Sequence, residues 1–243
     1  MNRREVGKVA ALFRYPVKSM AAEPLDAADV SWYGFTGDRR WAFVREGVVS
    51  SGFPWLTMRQ NPAMGQYHPR FVDSDNPDAS VTMVRTPTGT ELDVTDSRLA
   101  TDLGHGAQLL RQKRGIFDAF PLSLITTQTV AELGSVVGFE LDVLRFRPNI
   151  VIEAFGTIAF SEDEWVGCVV RVGGMSMRVD KRDKRCVMVN VDPLTSDRNP
   201  AILRAIAEER QAHLGVYGST VEPGRVAVGD TVTIERQEAI SPA

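Results

Sequence analysis

The stretch with the clearest chemical potential is "KRDKRCVMVNVDP", residues 181–193, in which five charged residues precede a cysteine. Cations close to a thiol favour the thiolate, which is the form that acts as a nucleophile or a metal ligand. Alternating valines indicate a strand, so Val187, Val189 and Val191 are expected on a buried face and Cys186 on the opposite one. A half-buried structural cysteine beside a solvated run of charges would explain the same pattern.

The second cysteine of the chain, Cys168, lies among apolar residues in "WVGCVVRV", and we expect it to pack in the core. Two cysteines cannot form a disulfide framework, and neither belongs to a C-x-x-C pair. Free thiols are typical of a cytoplasmic protein, so a cytoplasmic location is predicted.

Cations and amides alternate with apolar residues in two further predicted strands. Arg14 and Lys18 do so in "LFRYPVKS", and Arg145, Arg147 and Asn149 do so in "RFRPNIVI". Each strand would bury its apolar face and present the polar one. If these polar faces converge with the "GDRRW" turn, they would form a pocket for an anion.

Short segments rich in valine and bounded by Gly, Pro, Asp or Asn predict a mostly β structure. The predicted strands are "VGKVAALFRYPVKS", "RRWAFVREGVVSS", "SVTMVRTP", "TELDVT", "FRPNIVIEA", "CVVRVGGMSMRVD", "RCVMVNVD" and "VAVGDTVTIE". Helix caps and stops predict three helices: about residues 97–103 after an Asp96 cap, 128–136 after a Thr126–Thr127 cap, and 201–214 after Asn199 and Pro200. Residues 68–80 are predicted to form a surface loop, and a weak boundary between two halves is predicted near residues 104–120.

The composition limits the classes of function. The 243 residues carry a net charge of −3 with a pI near 5.7, so no overall basic field favours nucleic acid. Apolar residues make up 43% of the chain, as in ordinary globular proteins. No apolar run is long enough to span a membrane, and the N-terminus does not resemble a signal peptide. We therefore expect neither nucleic acid nor a membrane as a partner.

Seven segments, taken in order, resemble one family. They are "YPVKS", "GDRRWAFV", "MRQNPAM", "RFRPNIVI", "AFSEDEW", "RCVMVNVDP" and "VAVGDTV", and together they extend over nearly the whole chain. This pattern resembles the two-part MOSC proteins, the family of the mitochondrial amidoxime-reducing component and its bacterial relatives.

The resemblance implies a β-rich α+β fold. Residues 1–110 would form an N-terminal MOSC β-barrel region and residues 111–237 a C-terminal MOSC β-barrel domain. A cofactor cleft would lie between the two parts, and residues 238–243 would form a disordered tail.

The resemblance also implies a molybdenum cofactor, a molybdopterin that ends in a phosphate, and it assigns residues to it. Cys186 would be the thiolate ligand of molybdenum, which suits a soft metal, and a catalytic residue. Asp118 would be a catalytic carboxylate near the metal, although an ordinary loop carboxylate is an equal reading of the sequence. The remaining cofactor-binding residues would be Lys18 and Arg39 at the anionic end with Ser19 and Arg40 beside them, and Arg147 and Asn149 beside the pterin.

The chain departs from the family pattern at several places. Asp183 stands where many relatives have a second cysteine, three residues before the ligand. Met20 follows "KS" where cysteine is commoner, and "DPLTSDRNP" replaces the usual "DPDTG". These differences leave the substrate open.

The resemblance leads to an expected function: a molybdenum-dependent oxidoreductase that reduces N-hydroxylated compounds such as amidoximes and hydroxylamines. A [2Fe–2S] cluster needs four cysteine ligands and this chain has two cysteines, so a separate electron-transfer protein and reductase are expected. No G-x-G-x-x-G follows a predicted strand, so a built-in dinucleotide site is not supported. The alternative is a non-catalytic carrier that holds the cofactor or a persulfide sulfur on Cys186. Sulfur-mobilising relatives join their MOSC domain to a pyridoxal-phosphate desulfurase domain, for which these residues leave no room. A third reading is a degenerate member that binds another anion.

Overall fold

Strands dominate the structure, a computed structural model that describes residues 3–48 and 52–236. The strands are β1 (Arg3–Arg14), β2 (Glu23–Leu25), β3 (Ala27–Ser31), β4 (Gly34–Phe35), β5 (Trp41–Val44), β6 (His68–Phe71), β7 (Thr82–Arg85), β8 (Glu91–Asp93), β9 (Gln108–Arg111), β10 (Leu122–Thr126), β11 (Ile150–Ala154), β12 (Cys168–Val172), β13 (Met175–Lys184), β14 (His213–Glu222), β15 (Gly224–Ala227) and β16 (Thr231–Arg236). The helices are α1 (Ser97–Leu103), α2 (Thr127–Val137) and α3 (Pro200–Arg210), with short 3-10 helices at Pro62–Gln66, Val143–Phe146, Ser161–Trp165 and Val187–Asn190.

Seven strands close into a barrel in the order β11-β10-β14-β13-β12-β16-β1, because β1 also pairs with β11. Strand β10 leads into α2, and β11 then returns parallel to β10, as a crossover helix allows. The other neighbouring barrel strands are antiparallel. The expected β-rich α+β fold with a barrel is therefore confirmed.

The seam between β1 and β11 depends on a close approach of two backbones. A Cβ atom at Gly7 would lie 2.4 Å from the carbonyl oxygen of Glu153, which is far inside van der Waals contact. Only a residue without a side chain fits there. A register shift between Val9 and Ala11 then adjusts the rest of β1 to its partner.

The segment between β1 and β10 forms smaller sheets. Their orders are β15-β3-β4, β5-β9 and β6-β7-β8. A second apolar cluster, separate from that of the barrel strands, joins β5, β7, β8 and β9 to α1 through Phe43, Leu56, Met64 and Leu99, whereas β3, β4 and β15 pack in the barrel cluster. Val191, from the segment after β13, belongs to the same cluster, so the two halves of the chain share a core.

The caps expected from the sequence hold all three helices. Asp96 accepts the Arg98 N–H ahead of α1, Thr126 accepts the Thr129 N–H ahead of α2, and Asn199 caps α3. Helices α2 and α3 pack together in a third apolar cluster. This cluster includes Val189, which immediately precedes the buried Asn190. The predicted N-caps of the three helices are confirmed.

Three local predictions are wrong. Residues 187–190 of the predicted strand "RCVMVNVD" form a 3-10 helix, so alternation fails: Val187 is 53% exposed whereas Val189 is 3% exposed. Helix α3 ends at Arg210 rather than near residue 214, because the next two residues have left-handed φ angles and β14 begins at His213. The predicted loop 68–80 begins with β6.

The division at residue 110 stays a prediction, but one strand from the N-terminal part of the chain belongs to the barrel of the C-terminal part. Strand β1 belongs to the barrel that is otherwise built from strands after residue 121. The predicted tail, 238–243, lies outside the described residues. Within the described part of the chain, no helix combines the length and apolar character needed to cross a bilayer.

Candidate functional site

Two loop segments are joined so that Lys18 and Arg39 lie side by side. The Arg39 N–H donates to the Tyr15 carbonyl at 2.6 Å, and the Lys18 N–H donates to the Trp41 carbonyl at 2.8 Å. Arg39 adopts a left-handed φ of 49°, which turns the "GDRRW" segment back along "YPVKS". The Lys18 ammonium then donates to the Ile116 carbonyl at 3.0 Å. These backbone contacts, which we call the N-terminal junction, therefore hold Lys18 and Arg39 next to each other.

Arg147 reaches the same place from the other half of the chain. It ends the 3-10 helix Val143–Phe146 in a left-handed conformation, and its guanidinium carbon lies 4.2 Å from the centre of the Tyr15 ring. That of Arg39 lies 4.6 Å from the same ring. Nη1 of Arg147 donates to the Met20 carbonyl at 2.7 Å, while its Nη2 is buried without a hydrogen-bond partner. Burial lowers the pKa of Arg147 to about 10, so it stays protonated at neutral pH.

Asn149 lines the same region, but its amide is fully engaged. Its Nδ2 donates to the Phe13 carbonyl and to Asp38 Oδ2, each at 3.2 Å, and its Oδ1 accepts the Ser123 N–H at 3.3 Å. The same Asp38 carboxylate pairs with the Arg39 guanidinium. Asn149 therefore positions Arg39 through Asp38.

Cys186 lies just before the last 3-10 helix and is partly exposed. The Arg59 Nη2 donates to its sulfur at 3.2 Å. This contact holds the Cys186 sulfur beside a cation of the N-terminal half. Within residues 3–48 and 52–236, no group of three or more His, Cys, Asp or Glu side chains could hold a metal ion. Cys168, by contrast, is buried in β12 as expected.

Asp118 lies between Lys18 and Arg59, the arginine that contacts Cys186. Its carboxylate pairs with the Lys18 ammonium and lies 3.7 Å from Arg59 Nη2. Burial would raise the pKa of Asp118, but Lys18, Arg59 and Arg39 outweigh burial and hold that pKa below its usual range. Asp118 is therefore ionised at neutral pH.

These side chains line a cavity of about 250 Å³ between the two halves of the chain. Two carboxylates, Asp118 and Asp183, line it together with a larger set of cations. The eight cations are Lys18, Arg39, Arg59, Arg145, Arg147, Lys181, Lys184 and Arg185. Since the whole chain is net negative, this concentration of positive charge marks a site for an anion.

Comparison with known proteins supplies the family. The MOSC domain matches residues 111–233, and the MOSC N-terminal beta barrel domain matches residues 6–118. The chain belongs to the MOSC-domain family. The cavity takes residues from both matched regions, which overlap where Asp118 lies.

Curated relatives of this MOSC protein are distant. Molybdenum cofactor sulfurase from Drosophila grimshawi is 27% identical over 91% of this chain. Mitochondrial amidoxime-reducing component 1 from Homo sapiens is 25% identical over 94% of this chain. The chain spans 34% of the sulfurase and 83% of the amidoxime-reducing component.

Among solved structures, the YuaD protein from Bacillus subtilis has a similar fold. It superposes with a TM-score of 0.55 at 14% sequence identity, and the match covers 98% of this chain and 99% of that one. The likeness therefore extends over both MOSC regions.

The structure brings seven of the eight residues predicted for the site to one cavity: Lys18, Ser19, Arg39, Asp118, Arg147, Asn149 and Cys186. Arg40 does not line it. Its guanidinium instead lies 3.0 Å from Asp78. The structure therefore does not bring Arg40 to the cavity, and its assignment as a cofactor-binding residue stays a prediction.

Sequence reasoning assigned no role to several residues of the MOSC cavity. Arg59 lies in "MRQNPAM", a segment that contributed to the resemblance, but no alternation pointed to its side chain. Tyr217 lines the cavity as well, and it belongs to β14, a strand that the sequence did not predict. Only the pairing of β13 with β14 places that tyrosine at the site.

Arg59→Met is expected to slow alkylation of Cys186 by iodoacetamide roughly threefold to tenfold at neutral pH, because the sulfur loses the hydrogen bond at 3.2 Å that holds it in position. Mass spectrometry of timed samples measures the rate at each cysteine. Cys168 is 3% exposed and should stay unmodified in both proteins, which checks that the fold persists. Equal rates at Cys186 would show that Arg59 does not influence the sulfur.

Proposed function

We propose that this chain binds a molybdenum cofactor and reduces N-hydroxylated compounds, such as amidoximes and hydroxylamines, with electrons from an external donor. The observation that carries the proposal is the convergence of one accessible thiol and eight cations on a single cavity. The names of the curated relatives, which include an amidoxime-reducing component and molybdenum cofactor sulfurases, support it.

The residues present fit such a cofactor. Arg147 Nη2 is buried without a partner beside Lys18 and Arg39, and a phosphate oxygen is the kind of acceptor that a guanidinium takes best. Cys186 supplies a soft sulfur ligand of the type that suits molybdenum. A buried donor without a partner costs free energy, so the cavity favours a ligand that brings acceptors.

Each residue then has a defined task. Lys18, Arg39 and Arg147 would hold the phosphate end, and Cys186 would bind the metal. Arg59 would orient the Cys186 sulfur. When bound, the cofactor supplies a redox centre that can take the oxygen of an N–OH group.

Asp118 is proposed to orient the substrate. Because Lys18, Arg59 and Arg39 keep its carboxylate ionised, it is an acceptor for a substrate N–H rather than a donor of protons. With a side chain that is 39% exposed, it can meet a ligand entering the cavity. Both features are compatible with a role in holding amidine-like or hydroxylamine nitrogen atoms.

Electrons are proposed to come from a separate iron–sulfur or haem protein with its own reductase. The sequence holds two cysteines, one buried in β12 and one in the cavity. A [2Fe–2S] cluster needs four such ligands.

An assay tests the proposed reductase function. Protein produced in a cofactor-competent host should contain molybdenum near one atom per chain, and it should convert benzamidoxime to benzamidine with reduced viologen. NADH alone should give no turnover, because its two electrons need a protein that can pass them on. Turnover with NADH by the pure protein would overturn the external donor, and no turnover with full molybdenum loading would overturn the reductase.

A second candidate is a carrier of the cofactor or of a persulfide sulfur. The partly exposed Cys186 beside Arg59 favours it, because a cation also stabilises a persulfide anion. In that case Cys186 would accept sulfur from an external desulfurase, and the protein would transfer it without reducing any N–OH group.

A further inference from the structure

Asp183 is a carboxyl group in the cavity to which the proposed function assigns no task. It lies at the end of β13, where a register shift between Arg182 and Lys184 turns its side chain into the cavity. Its exposed fraction is 1%. A carboxylate this deeply buried normally has a full set of hydrogen-bond partners.

The surroundings of Asp183 only partly stabilise a negative charge. Its Oδ2 lies 2.8 Å from Arg185 Nη1 but makes no hydrogen bond. Nη1 of Arg185 instead donates to the Phe146 carbonyl at 2.7 Å, and its Nε donates to the Leu214 carbonyl at 2.8 Å. The guanidinium is therefore held by the backbone, and it offsets the charge of Asp183 without bonding to it.

The groups that act on Asp183 come from each element around it. Arg185 follows it in the chain, Tyr217 and His213 belong to the adjacent strand β14, and Arg39 comes from the N-terminal junction. Burial outweighs these neighbours and raises the pKa of Asp183 to about 6. Burial and Asp183 itself raise the pKa of Tyr217, so that phenol stays neutral.

We propose that Asp183 is the proton-carrying group of the cavity, a carboxyl that takes a proton from solvent and donates it to the oxygen of a bound N–OH group. This role rests on the proposed reductase function. Asp118 cannot share it, because its neighbours keep it ionised. One carboxyl that stays ionised, Asp118, and one that can take up and release a proton near pH 6, Asp183, would divide substrate orientation from proton supply in a single cavity.

The proposed step balances. An N-hydroxy compound, two electrons from the external donor and two protons give the corresponding N–H compound and water. The N–O bond breaks, Asp183 supplies the proton that completes the water, and solvent supplies the second proton. Asp183 is left as a carboxylate whose charge Arg185 offsets at 2.8 Å until solvent protonates it again.

The first test needs neither cofactor nor substrate. In the cofactor-free protein, the infrared difference between wild type and Asp183→Asn should contain a protonated-carboxyl C=O band at about pH 5 that disappears by about pH 8. The matched control, wild type minus Asp118→Asn, should lack such a band across this range. A wild type without the Asp183 band at any pH in this range would overturn the proposal.

Stability provides a second readout on the same cofactor-free proteins. Because the folded pKa of Asp183 is raised, its contribution is fully present below about pH 4 and is lost as the pH rises through about 6. The Tm of Asp183→Asn minus that of wild type should therefore be roughly 3–8 °C larger at about pH 8 than at about pH 4. A difference that does not change with pH would contradict a buried proton on Asp183.

Turnover separates this proposal from the reductase function. In wild type, kcat/KM should fall as the pH rises through about 6. The Asp183→Asn variant should lack this pH dependence, and its kcat/KM at low pH should be about 100-fold below that of wild type. An active Asp183→Asn with an unchanged pH profile would overturn proton donation. A wild type with the titrating band but no turnover would overturn the reductase and leave the proton site in place.

Discussion

Replacing Cys186 by serine is expected to remove molybdenum from the protein and to lower N-hydroxy reduction by more than about 100-fold. A hydroxyl is a poor ligand for a soft metal, and the loss of even an outer contact to a metal ligand costs roughly tenfold to 100-fold in affinity or activity. The side chains differ little in size, so the short helix after residue 186 should persist. Metal analysis and the viologen-linked assay measure the two effects.

Cys168→Ser is the matched control for this substitution. Cys168 is buried in β12, away from the cavity, so the variant should keep both its molybdenum and its activity, at some cost in stability. Equal metal content and activity in wild type and Cys186→Ser would contradict the ligand assignment.

The same variant distinguishes the reductase from the carrier. If Cys186 holds a persulfide, wild type incubated with a desulfurase and cysteine should gain one sulfur atom that Cys186→Ser lacks. If the reductase is correct, molybdenum and turnover disappear together. Sulfur transfer without molybdenum or turnover in wild type would favour the carrier.

The short-range part of the fold could be predicted from the sequence. Asp96, Thr126 and Asn199 cap their helices as expected, because capping depends on residues within one turn. The closure of the barrel could not be predicted from composition or alternation. It depends on β1 pairing with β11 and β16, which lie far away in the sequence.

The site shows how far alternation is useful. Cys186 was expected on the face of a strand opposite to the valines. Instead it precedes a 3-10 helix, so its partial exposure does not come from the alternation of a strand. Similarly, Arg147 reaches the cavity through a left-handed turn rather than from a strand face. Most of these cations meet at one cavity, a convergence that the sequence left open, and they reach it through backbone conformations that a period-two pattern does not contain. Arg14 does not join the other cations at the cavity, and its guanidinium pairs with Glu23 instead.

Arg147→Met is expected to weaken anion binding in the cavity at least tenfold. The guanidinium is buried, it is charged at neutral pH, and its Nη2 has no partner until a ligand supplies one. The apolar methionine can keep the packing on the Tyr15 ring, while the Met20 carbonyl loses one donor. Loss of that donor costs about 1–3 kcal/mol, and relief from burying an incompletely paired charge offsets part of it.

Calorimetric titration of the cofactor-free protein with inorganic pyrophosphate measures this effect directly, and molybdenum content measures its consequence. Arg40→Met is the matched control, because it removes a neighbouring cation that pairs with Asp78 outside the cavity. Arg40→Met should bind pyrophosphate as wild type does, whereas Arg147→Met should bind it weakly with a Tm only a few degrees lower. Equal weakening by both variants would mean that overall charge, and not the unpartnered guanidinium of Arg147, attracts the anion.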